Sequence, residues 1–182
     1  ITVDFNTSAV SGNITVQGTN ACGSGIISAN FPVTVNTLSI APTSIAGATI
    51  ICEGTSTTLS VSGGTAGTAA VAEWFSDSCI GTSAGTGNSI TVSPIVNTTY
   101  YVRYAGTCNT TTCTSLSITV DPLPIAAGTI IGTPTVCQGQ SSVSYSIPTI
   151  ANATGYTWNL PSGASIVSGA NTNSIIVDFS AS

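Results

Sequence analysis

Apolar and polar residues alternate along most of this chain. Thr57-Thr-Leu-Ser-Val-Ser62, Ser89-Ile-Thr-Val-Ser93, Thr98 to Tyr104 and Ser115-Leu-Ser-Ile-Thr-Val120 follow a period of two. So do Ser142-Val-Ser-Tyr-Ser-Ile147, Tyr156-Thr-Trp-Asn159, Ser174 to Phe179, Asn13-Ile-Thr-Val-Gln17 and Phe31 to Val35. In an extended strand successive side chains point to opposite faces, so each run has one face to bury. Thr, Val, Ile and Ser at this density disfavour helices and favour strands. No segment of ten or more residues has a helical period. Gly63-Gly64, Gly85 to Asn88, Gly106-Thr107 and Pro161-Ser-Gly163 mark turns between the runs. The pattern predicts an all-β chain of short strands.

The same pattern repeats. Ile1-Thr-Val-Asp-Phe-Asn-Thr-Ser8 is matched by Ile175-Ile-Val-Asp-Phe-Ser-Ala-Ser182, with Val3-Asp4-Phe5 against Val177-Asp178-Phe179 and Ser8 against Ser182. The offset, Ile175 against Ile1, is 174 residues. The chain therefore reads as one period of a longer tandem array plus an eight-residue overlap. A second repeat has half that length. Ile51-Cys52-Glu53-Gly54 parallels Val136-Cys137-Gln138-Gly139, and Trp74 and Trp158 follow Cys52 and Cys137 by 22 and 21 residues. Val16 precedes Cys22 by six residues, as Val102 precedes Cys108. Each unit has one plan: Cys, a strand, a Trp strand, later strands, Cys, a last strand. One unit is whole, 37–122. The other is split, its first half at 123–182 and its second half at 1–36. About seven short strands in each half period, around a central Trp, indicate an immunoglobulin-like β-sandwich. Trp74 and Trp158 are the expected core plugs. Tyr100 and Tyr101 are adjacent, so one faces the core and the other faces out.

Composition narrows the function. The chain has one Lys or Arg, six Asp or Glu and no His, and charged residues are 4% of the whole. Phosphate binding needs clustered bases, and Arg103 stands alone, so nucleic acid is a poor partner and anionic membrane surfaces are excluded on the same ground. No apolar run approaches a membrane span. No initiator Met or signal peptide is present, so the chain reads as an internal piece. The absence of His removes Ser-His-Asp and Cys-His devices. Glu73 and Asp77, four apart beside the Trp74 strand, resemble a two-carboxylate glycosidase pair only in spacing and read as solvated carboxylates. No acidic calcium loop and no phosphate-cradling glycine loop occur. The expectation is no enzyme, no cofactor and no metal.

Six cysteines without CxxC pairs read as disulfides made in an oxidising compartment. In the split unit Cys137 and the Cys22 of the next copy are the only cysteines, 59 residues apart given the 174-residue period. The matching pair in the whole unit is Cys52 and Cys108, 56 apart, which leaves Cys79 for Cys113. The rival connectivity, Cys108–Cys113 with Cys52–Cys79, also fits a sandwich. On the first reading Cys22 and Cys137 bond neighbouring copies rather than each other. The absence of Lys excludes a Lys–Asn isopeptide crosslink.

Particular motifs resemble a known family. Pro134-Thr-Val-Cys-Gln-Gly139, Gly155-Tyr-Thr-Trp-Asn-Leu-Pro-Ser-Gly163, Asn173-Ser-Ile-Ile-Val-Asp-Phe179 and Gly12-Asn-Ile-Thr-Val-Gln-Gly-Thr-Asn-Ala-Cys-Gly23 resemble the PKD-like repeats of Bacteroidota surface proteins. Ile51-Cys-Glu-Gly54, Glu73-Trp-Phe75, Gly85-Thr-Gly-Asn-Ser-Ile90, Thr98-Thr-Tyr-Tyr-Val102 and Gly106-Thr-Cys-Asn-Thr-Thr111 resemble the Ig-like repeats beside them. The resemblance covers essentially the whole chain. It implies large gliding-motility or adhesion proteins, exported by a type IX system and displayed on the cell surface. The expected organisation is then the C-terminal half of a PKD-like sandwich at 1–36, a complete Ig-like sandwich at 37–122, and the N-terminal half of the next PKD-like sandwich at 123–182.

The leading function is structural: a disulfide-stapled rod of an extracellular adhesin or fibre, whose partners are neighbouring copies. The short segments Val35-Asn-Thr-Leu38 and Asp121-Pro-Leu-Pro124 suit stiff joints. A glycan-binding module is the first alternative, with Tyr104 and Phe75 as the stacking aromatics. Spacer domains of a secreted polysaccharide-degrading enzyme are the second. Asn-x-Ser/Thr triplets begin at Asn6, Asn13, Asn97, Asn109 and Asn152.

Overall fold

The computed structural model describes residues 1–180; Ser182, the partner of Ser8 in the overlap, lies outside them. The described residues form sixteen strands and no helix, so no helix is long and apolar enough to cross a membrane. The chain divides into two compact units, Ile1–Val120 and Asp121–Ser182.

The first unit opens with β1 (Gly12–Ile14), β2 (Thr19–Asn20), β3 (Gly23–Ser24) and β4 (Phe31–Val33). β1 pairs antiparallel with β4, Ile14 opposite Phe31, and β2 with β3. The sandwich follows: β5 (Ser44–Ala46), β6 (Ile50–Cys52), β7 (Thr57–Ser62), β8 (Val71–Ser76), β9 (Thr82–Thr86), β10 (Ser89–Val92), β11 (Thr98–Ala105) and β12 (Thr114–Asp121). They form two sheets, β10-β7-β5 and β6-β12-β11-β8-β9. Alternation decides what is buried. In β11 Tyr100, Val102 and Tyr104 face inward while Tyr101 and Arg103 do not. Trp74 on β8 is 0% exposed and lies at the centre of a core with Leu59, Val102 and Ile118. Its indole N–H donates to the Gly87 carbonyl at 2.8 Å, which satisfies the one polar group a buried Trp carries. Gly63 and Gly64 turn the chain after β7 at φ +68° and +70°, a region that disfavours any Cβ.

The second unit holds one sheet, β13 (Ile131–Gly132), β14 (Val143–Ser146), β15 (Ala164–Ser168) and β16 (Ser174–Phe179), in the order β13-β14-β16-β15. Ile175 and Val177 of β16 are 1% and 0% exposed. Asp178 Oδ1 accepts the Ser142 N–H at 2.7 Å and fixes the β14–β16 register at its end. The run Tyr156–Asn159, expected as a strand, is irregular. Its Trp158 is half-buried rather than a core plug like Trp74. The cause is the sheet partner. β8 lies between β11 and β9, whereas no strand of this unit flanks Trp158.

The two ends of the chain show the same effect. Val177-Asp178-Phe179 is a strand between β14 and β15, while the matching Val3-Asp4-Phe5 has no strand partner, and Val3 is 56% exposed. A strand forms only where neighbours take its backbone hydrogen bonds.

Candidate functional site

The cysteines fall into two groups. Cys79, in the turn between β8 and β9, is bonded to Cys113, which precedes β12, with Cα atoms 5.8 Å apart. Cys22, Cys52, Cys108 and Cys137 are exposed and unbonded. The expected Cys52–Cys108 bond is therefore corrected, and the reason is position. Cys52 ends β6 and its carbonyl accepts from Thr55 N and Oγ1 at 3.1 and 2.7 Å, in the turn that leads into β7. β7 begins beside that turn, where Ala48 N donates to Thr57 Oγ1. Eight residues on, Thr65 bridges Ile40. There the Ser39 N–H is held by Asn109 Oδ1 at 2.8 Å, and the Cys108 Sγ–H reaches the Asn36 carbonyl at 3.7 Å. The six extended residues of β7 span about 20 Å. A disulfide tolerates Cα atoms only about 7 Å apart. The two thiols sit at opposite ends of the sandwich. The rival pairs Cys108–Cys113 and Cys52–Cys79 are not formed either.

The segment entering the sandwich is pinned to it. Thr37 N donates to Thr68 Oγ1 at 2.9 Å, and Thr68 N returns to the Thr37 carbonyl at 3.1 Å. Asn109 grips Ser39 twice, its Nδ2 donating to the Ser39 carbonyl at 2.9 Å while its Oδ1 accepts the amide. At the other end Asn97 Oδ1 accepts the Val120 N–H at 2.8 Å. Asn152 Nδ2 donates to the Leu123 carbonyl at 3.1 Å. Four of the five Asn-x-Ser/Thr triplets thus use their amide in a structural hydrogen bond, Asn6 through an Oδ1 that accepts the Ser8 N–H at 2.9 Å. The sequence alone shows these asparagines only as triplet motifs. Their signal, an Asn just outside a strand end, is shared by many turns.

The candidate chemistry disperses. Glu73 is engaged by Arg103, with Oε2 3.1 Å from both Nε and Nη2. Arg103 also lies over the Phe75 ring, 5.1 Å from guanidinium carbon to centroid. Asp77 sits in the β8–β9 turn at φ +69°, its N–H donating to the Thr99 carbonyl. Tyr104 belongs to the buried core and has no face to offer a sugar. Phe75 is half-buried beneath Arg103. Tyr100 is buried, and that burial, with the Asp77 carboxylate second, pushes its phenol pKa above the usual range. Among the described residues no three His, Cys, Asp or Glu side chains gather to hold a metal.

What the site does contain is unpartnered apolar surface. In the second unit a groove runs past Ile130, Val136, Tyr145, Trp158, Leu160 and Phe179. In the first unit Val16 and Phe31 stand on the β1/β4 hairpin segment with 72% and 68% of their surface exposed.

No curated protein matches the chain. The family models do: residues 40–122 match an Ig-like domain that is CHU_C-associated, and residues 123–182 match a PKD-like domain, so the chain joins these two domain types in tandem.

Proposed function

We infer that the chain is a structural repeat of an extracellular cell-surface adhesin or fibre, in which Ig-like and PKD-like sandwiches alternate along a stiff, rod-like array. The observation that carries this is the repeated strand. Val3-Asp4-Phe5 and Val177-Asp178-Phe179 are the same sequence, embedded in a sheet at one place and without strand neighbours at the other. That is what an array with a 174-residue period looks like when its units are cut across a sandwich. The latches on Thr37 and Ser39 support a stiff joint on the entry side of the Ig-like domain. The near-absence of charge leaves little for salt or pH to alter in an outside medium. The disulfide supports an oxidising compartment. The motif resemblance extends the proposal to Bacteroidota gliding or adhesion proteins with type IX export.

Small-angle X-ray scattering on proteins of two, three and four repeats tests the rod. A maximum dimension that grows linearly with repeat number supports it. Growth with about the square root of length, as for a flexible coil, refutes it.

A further inference from the structure

Two apolar surfaces in this chain are exposed for one geometrical reason. In the Ig-like sandwich, β11 lies beside the Trp strand and places Val102 opposite Trp74; both are fully buried. In the second unit, Trp158 keeps the same latch, its indole N–H donating to the Thr172 carbonyl at 2.9 Å as Trp74 donates to Gly87 at 2.8 Å. The counterparts of β11 and β12 are missing there, and the groove along Trp158 is the result. Those counterparts exist elsewhere in the sequence as the β1/β4 hairpin. Ile14 opposite Phe31 repeats Tyr100 opposite Leu116. Val16, six residues before Cys22, stands where Val102 stands before Cys108.

We propose that residues 9–36 of a second copy of this chain dock on the second unit as its two missing strands, with Val16 opposite Trp158 and Ile14 opposite Leu160. The inference rests on the array reading and gives it a register: Trp74 with Val102 and Ser76 with Tyr100 in the Ig-like domain set the two pairs. The interaction is strand addition, in which main-chain hydrogen bonds bind and alternate side chains fill the groove. Residues 9–36 contain no charged side chain, so docking desolvates no ion on the donor. The contact is heterologous: one chain offers its hairpin and the next its groove, so copies add head to tail. Residues 1–8 duplicate β16, which the acceptor already holds, and are left outside the joint. In the docked sandwich Cys22 lies away from Cys137, as Cys108 lies away from Cys52. The assembly is non-covalent at that pair and replaces the Cys137–Cys22 crosslink expected from spacing.

The test uses the full 182-residue chain with its disulfide intact and its four free thiols alkylated, followed by sedimentation over a concentration series. Val16→Asp blocks the donor and Ile130→Asp the acceptor; both positions are exposed, so neither change reaches a core. The wild-type mass is expected to climb past dimer with concentration. Each variant alone stays monomeric, and their equimolar mixture stops at twice the monomer mass. A wild-type chain that stays monomeric at every concentration overturns the proposal, as does assembly that survives Val16→Asp. A chain carrying a second copy of residues 9–36 directly after Ser182, as the 174-residue period requires, separates the two levels. If Trp158 is shielded from acrylamide there while free chains stay monomeric, docking between chains falls and the array stands. If Trp158 is quenched as readily as before, both fall.

Discussion

Removing the Cys79–Cys113 bond by a double Cys→Ala change measures how far this sandwich depends on its staple. The bond closes 34 residues of sequence, from the β8–β9 turn to the residue before β12. Chain entropy for a loop of that length gives about 4 kcal/mol of stabilisation through the unfolded state. Small domains are stable by about 5–15 kcal/mol, so the loss is a large share of the whole. The opposite change, Cys52→Ala with Cys108→Ala, touches two exposed, unbonded thiols. It should shift stability by no more than about 0.5 kcal/mol. Urea unfolding followed by Trp74 fluorescence reads both variants, and dithiothreitol on the wild type should reproduce the first. Equal losses from the two double variants would refute the assigned pairing. A Cys79/Cys113 variant as stable as the wild type would refute the entropic argument.

Other outcomes follow from particular contacts. Leu59→Ala, at a fully buried position, should cost about 2–5 kcal/mol, while Ile80→Ala on the surface stays within about 0.5 kcal/mol, both read by urea midpoint. Asn109→Ala leaves both backbone groups of Ser39 without their latch; it should cost about 1–3 kcal/mol and speed exchange of the Ser39 amide. The Tyr100 phenol is harder to ionise folded than unfolded, so its contribution is complete below about pH 10 and is lost as pH rises above that value. Unfolding midpoints of the thiol-alkylated protein should fall from about pH 9 to about pH 11, and Tyr100→Phe should reduce that fall; an unchanged fall contradicts the assignment.

Much of the fold was legible because alternation and turns are local. Thr57–Ser62 and Ser174–Phe179 were read with the bounds the structure gives. Strands that rest on distant partners were not. Tyr156–Asn159 alternates like a strand but has no neighbour to pair with. β5 and β6 are three residues each and join different sheets across Gly47, where a Cβ would collide with Leu59. β15 is broken by a register shift between Ile166 and Ser168. Of the expected cysteine pairs Cys79–Cys113 formed, and Cys52–Cys108 failed for a similar reason. Spacing counts residues along the chain but does not say at which end of a sandwich a turn falls, and Cys52 and Cys108 close opposite ends. Tyr104 stood as a candidate stacking aromatic under the glycan-binding alternative because alternation alone does not say which face is the core.

The central claim is that 123–182 and 1–36 are two halves of one sandwich. The most direct measurement is amide hydrogen exchange of residues 155–160 in the 182-residue chain, and again when a second copy of residues 9–36 follows Ser182. The account predicts slow exchange on extension, with protection of the added Val16 amide, because the Trp158 segment then becomes a strand. Exchange that remains as fast as in the unextended chain would contradict it.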